Sequence, residues 1–117
     1  MDEANVTSWT LVRDAAQGAD AARERLARWI DPAVRAYLQA RWSSKSGLAA
    51  SVADAAQEVF VDLLRPGGAL ERADPERGSF RAFVYGVARK VALRVEERAQ
   101  RERARGPSAG VTQVPSD

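Results

Sequence analysis

The chain has 117 residues, 45% hydrophobic and 29% charged, which suits one small soluble domain and leaves no room for a second full one. It contains no cysteine and no histidine, which excludes disulfides, thiol nucleophiles, imidazole bases and the usual zinc ligand sets; no enzyme, metal site or cofactor is expected. The net charge of +2 conceals a sorted distribution: Arg89 to Arg105 holds seven basic residues against three acidic ones, and Ser51 to Glu76 holds six acidic against two basic.

No apolar run approaches the roughly 20 residues that span a bilayer, and the start at Met1 lacks the basic and apolar regions of a signal peptide. A cytoplasmic protein with no membrane partner is expected. Helical periodicity runs throughout, without an alternating strand or an internal repeat. The pattern predicts an all-α fold, a compact helical bundle of about four helices with a long C-terminal helix.

The first predicted helix runs from about Ser8 to Gln17, with Thr7 or Ser8 as N-cap, Trp9, Val12 and Ala16 on one side, and Gly18 as its stop. The second, capped by Asp20, repeats Ala22, Leu26, Trp29, Ile30, Ala33, Val34, Tyr37, Leu38 and Trp42 at helical spacing. Pro32 bends or breaks it after Ile30, giving one kinked helix or two. Trp9, Trp29 and Trp42 all join apolar repeats and are assigned to packing.

Ser43 to Gly47 is a turn-rich connector, and Ser51 with Asp54 forms a capping box in which aspartate replaces glutamate. The third helix is predicted over Val52 to Leu64 and ends at Arg65-Pro-Gly-Gly68. A loop with at most one short turn leads to Gly78. Ser79 then caps the fourth helix, whose Phe80, Phe83, Val84, Val87, Val91 and Val95 make one buried stripe, with Arg89, Lys90, Arg94 and Arg98 largely off it. Residues 1–105 form the domain, and 106–117 read as flexible linker or tail.

Two segments carry a resemblance. Asp54-Ala-Ala-Gln-Glu-Val-Phe60 is similar to the aspartate, glutamine, acid and phenylalanine pattern of region 2.2 in extracytoplasmic-function (ECF) sigma factors of bacterial RNA polymerase. Gly78-Ser-Phe-Arg-Ala-Phe-Val-Tyr-Gly-Val-Ala-Arg89 resembles the start of regions 2.3 and 2.4, where an aromatic, a basic residue and a second aromatic open the DNA-reading helix. Each motif alone is weak, and the ordered pair is stronger. The resemblance spans roughly Thr7 to Arg105.

It implies a sigma region 2-like bundle acting in transcription initiation, which binds core RNA polymerase and recognises and opens the minus-ten promoter element. The region 2.2 helix would dock on a coiled coil of the polymerase's largest catalytic subunit through Asp54, Gln57, Glu58 and Asp62, which share one helical face. Val59, Phe60 and Leu63 would anchor that helix to its own core. The single strand of promoter DNA would be held by Arg77, Ser79, Arg81, Tyr85, Arg89, Lys90, Arg94 and Arg98, with Arg101 beyond them. Tyr85 or Phe83 would serve as an aromatic platform, and the loop from Glu71 through Arg77 and Ser79 as a base-selective pocket.

Plainer readings stand beside these. The acids of the third helix read by themselves as a solvated face, and Arg98 to Arg105 as a solvated helix end favoured by the dipole. Phe80 and Phe83 read as core by spacing. Lys90 stands where the family commonly has asparagine, and Ser51 and Ala53 stand where acids are common. The sequence stops where a linker would lead to region 4, as in an excised domain, a truncated product or a single-domain protein. The alternative function is a helical protein-interaction module, a sigma mimic or the target of an anti-sigma factor, without promoter DNA binding; a general DNA-binding helical domain is the other rival.

Overall fold

The computed structural model describes residues 3–43 and 47–105. Four helices carry the fold: α1 (Glu3–Ala16), α2 (Asp20–Arg41), α3 (Val52–Leu64) and α4 (Phe80–Arg105). Short 3-10 turns at Ala49–Ser51, Ala69–Arg72 and Pro75–Arg77 lie between them, and no strand occurs among the described residues. The all-α bundle with a long last helix is therefore the fold, and α4 is the longest element.

Helix α1 begins well before the N-cap predicted at Thr7 or Ser8, which lie inside it. Glu3 and Ala4 are good helix formers, and nothing up to Val6 breaks the ladder. Its end matches the sequence: Gly18 adopts φ +93°, its N–H donates to the Ala15 carbonyl at 3.0 Å, and the Ala19 N–H donates to Asp14 at 3.1 Å. This is a Schellman closure, which favours glycine because a side chain at that φ is strained.

Helix α2 is continuous through Pro32. Both Pro32 and Arg28, whose carbonyl the missing N–H would have met, are exposed, so water can take over the lost bond. The buried face of Ala22, Leu26, Ile30, Val34 and Leu38 holds both halves of the helix in one direction. Asp20 is the first helical residue rather than the cap; Ala19 occupies that position without a side-chain bond. The predicted connector from Ser43 to Gly47 lies mostly outside the described residues, as does the predicted tail.

Ser51 and Asp54 do not form a capping box. The Ala49–Ser51 turn runs straight into α3, so Ser51 already has helical angles (φ −91°, ψ −1°) and its side chain caps nothing. At the far end Arg65 is extended, as the residue before Pro66 should be. Gly68 is buried, and a Cβ there would meet the Arg65 and Asp62 carbonyls at 2.7 Å. The following loop contains two short turns rather than one, pinned by the buried Leu70 and by Asp74, whose carboxylate accepts from the Glu76 N–H at 2.9 Å. Ser79 caps α4 as predicted, its Oγ accepting from the Ala82 N–H at 3.1 Å.

Helix α2 packs against α1, α3 and α4, and α3 packs along α4. Leu26, Ile30, Val34, Leu38, Trp42, Val59, Leu63, Phe80, Val84 and Val91 fill the centre, and no polar or charged residue is buried among those described. Apolar burial of this kind is the main stabilising term, about 25 cal/mol per Å². The α4 stripe is as predicted except that Phe83 is only half-buried and Ala88 and Ala92 join it. Trp9 and Trp42 are core, whereas Trp29 packs on Phe80 but is 41% exposed, so its packing role is only partial. It sits at the edge of the α2 stripe, with one part of its ring against Phe80 and the rest in solvent.

Candidate functional site

The α3 face is built by its buried side. Val52, Ala55, Ala56, Val59 and Leu63 face the core, which turns Asp54 and Gln57 fully outward and leaves Glu58 and Asp62 partly exposed. Val59 and Leu63 are anchors as predicted, and Phe60 is half-buried against the core. Glu58 and Asp62 are already engaged. Arg94 contacts Glu58 at 3.1 Å and Asp62 at 3.0 Å, and Arg98 contacts Glu58 at 2.9 Å. Residues assigned to two different partners thus meet along the α3–α4 seam. Asp54 has no ion-pair partner among the described residues and lines, with Glu58, Leu48, Val95, Arg98 and Glu102, a groove of about 210 Å³.

On α4 the basic residues fall into two sets. Arg94 and Arg98 turn toward α3, whereas Arg81, Arg89 and Lys90 are exposed and take part in no ion pair of the described residues. Tyr85 is half-buried, its ring 5.8 Å from that of Tyr37 on α2 and tilted 38° to it. Glu96 fastens the other flank of α4 to the end of α2. It accepts from Arg41 Nε at 2.6 Å, from a second Arg41 nitrogen at 3.0 Å and from Trp42 Nε1 at 2.8 Å. The Arg41 bond is the chief cause that holds its carboxyl below the usual range.

Arg77 and Ser79 lie together at the mouth of a cavity of about 280 Å³ with Arg72, Asp74, Gly78, Phe83 and Trp9. Arg72 donates to the Gly67 carbonyl at 2.9 Å, which fixes one wall of the loop. Phe83 packs on Trp9 at 6.2 Å and on Phe80 at 6.2 Å, forming an aromatic floor. Of the predicted loop from Glu71 through Arg77 and Ser79, Arg72, Asp74, Arg77 and Ser79 line this cavity and Glu71 does not, and nothing in the sequence pointed to Trp9 here. Trp9 reaches the cavity from α1, some seventy residues away in the chain, and no local periodicity carries that information.

Four helices around one apolar core, with the acidic face of α3 set against basic residues of α4, define an all-α bundle. The chain matches the family model of Sigma-70 region 2 over residues 24–103 and belongs to that family. The match runs from the first turns of α2 to the last turn of α4 and so includes α3, the loop and the seam. Its role is that of a sigma-factor domain in transcription initiation, within a non-catalytic family. Neither the curated proteins nor the solved structures give a match to this chain. No described helix is long and apolar enough to cross a membrane.

Proposed function

We propose that this domain is an ECF-type region 2, which acts in the cytoplasm by binding core RNA polymerase through α3 and holding the opened minus-ten element on the loop and α4. The observation that carries this reading is the cavity at the start of α4. Its rim bears Arg72, Arg77 and Ser79, its floor is aromatic, and its volume of about 280 Å³ suits one unstacked base. Ser79 accepts from the Ala82 N–H with one lone pair and keeps its own O–H as a donor. Arg81, Arg89 and Lys90 supply cations along the helix beyond the cavity, where the phosphates of a single strand would run.

Asp54 and Gln57 stand ready for basic side chains on the polymerase coiled coil, and Glu58 and Asp62 would share their charge between that partner and Arg94 and Arg98. The test is a comparison of labelled oligonucleotides on the core polymerase complex. A forked oligonucleotide with an unpaired minus-ten strand should bind more tightly than the fully paired duplex, and Arg77→Ala with Ser79→Ala should remove the preference. Equal binding of both forms would count against base capture in this cavity.

A further inference from the structure

We propose that Trp29 is a stacking platform for an unpaired base, which extends the single-strand path from the start of α4 onto α2. The proposal rests on the DNA-binding reading above and adds a residue outside the loop and α4. Trp29 is 41% exposed, whereas Trp9 and Trp42 are 8% and 2% exposed. The exposed part of the Trp29 indole offers an aromatic surface to solvent, and an aromatic face can receive an unstacked base.

The ring is held in place before any ligand arrives. Its centroid lies 5.6 Å from that of Phe80, with 36° between the planes. Phe80 is itself 1% exposed and wedged against Trp9 at 5.5 Å and Phe83 at 6.2 Å. Trp29 therefore rests on a buried aromatic cluster, which limits the ordering needed when a second ring stacks on its open part.

The surroundings select the kind of ring. Arg25 precedes Trp29 by one helical turn on the same side of α2, and Arg28 is its neighbour; both are exposed and outside the ion pairs of the described residues. Asp31, two residues on, is neutralised by Arg35 at 3.0 Å. Phe80, the support of Trp29, is flanked in sequence by Ser79 and Arg81, residues already assigned to the strand. An aromatic face with cations beside it takes a base by stacking while the adjoining phosphates meet the arginines, and it does so with little regard to base identity.

The test uses the whole chain at low salt with a fluorescein-labelled oligothymidylate, reading label anisotropy and intrinsic tryptophan emission, with thermal melting as a control. Trp29→Ala should weaken binding about tenfold. Trp29→Tyr should bind within about twofold of the parent, because a stacking ring is retained, and show less emission quenching on titration than the parent, the remainder coming from Trp9 in the cavity wall. Unchanged affinity for Trp29→Ala would overturn the proposal and leave Trp29 as a cover over Phe80. Loss of core polymerase binding by Trp29→Ala with DNA affinity intact would overturn it in favour of a protein contact. Failure of the parent chain to bind the oligonucleotide at all would overturn the DNA-binding reading itself, and this proposal with it.

Discussion

Arg94 of α4 lies between Glu58 and Asp62 of α3, 3.1 Å from one carboxylate and 3.0 Å from the other. The Asp62 bond first, and the Glu58 bond after it, favour the charged guanidinium. These side chains are partly exposed, so each pair contributes at most about 1 kcal/mol and is screened by salt. Arg94→Met should lower the urea unfolding free energy by about 1 kcal/mol at low ionic strength, and most of that difference should vanish in about 1 M salt. A loss that ignores salt would mean that the aliphatic stem, rather than the charge, holds the seam.

Glu96 makes stability sensitive to acid. Its folded pKa lies below its ordinary value of 4.5, so its contribution is fully present above that value and is lost as pH falls through the folded one. Glu96→Gln, which weakens the acceptor for Arg41 and Trp42, should cost about 1–2 kcal/mol at neutral pH. Urea titrations at a series of pH values should show the gap between parent and variant closing as pH falls below 4.5 and through the lowered folded pKa. A gap that stays constant would contradict the pairing.

Gly86 stands in the interior of α4, exposed, and a Cβ there would meet nothing within 4 Å. Glycine in that setting costs about 1 kcal/mol relative to alanine. Gly86→Ala should therefore raise stability by roughly that amount in thermal or urea unfolding. The same variant should weaken oligonucleotide binding if a strand passes close to the backbone beside Arg89 and Lys90. Raised stability with unchanged DNA affinity would place the strand elsewhere on α4.

Arg89 and Lys90 are free of ion pairs among the described residues, unlike Arg94 and Arg98. Each phosphate neutralised on a single strand contributes about 0.7 to the slope of log affinity against log salt. Replacing both residues with alanine should flatten the slope by about 1.4 and leave the melting temperature nearly unchanged. Replacing Arg98 should do the reverse, disturbing the seam more than the slope.

The features that could be read from the sequence are those set within a few residues. Phe80, Val84, Val87, Val91 and Val95 recur at helical spacing, Ser79 precedes them as a cap, and Gly18 follows α1 as a stop; all three hold. Ser51 failed as a cap because capping needs a non-helical backbone, and the turn before it had already wound into α3. The Glu58–Arg98 contact spans forty residues and depends on how α3 lies along α4, which no local pattern encodes. For the same reason Trp29 read as core, since periodicity locates a stripe but not its edge.

The central claim is that α3 presents a polymerase-docking face, and Asp54 is its cleanest probe. Reversing Glu58 would also break its pairs with Arg94 and Arg98, whereas Asp54 is exposed and outside the ion pairs of the described residues. The most direct measurement is binding of the labelled chain to purified core RNA polymerase, parent against Asp54→Lys, with melting curves as the folding control. The account predicts tight binding by the parent and a loss of at least about tenfold, roughly 1.4 kcal/mol, in a variant that melts like the parent. Equal binding by both chains would contradict it.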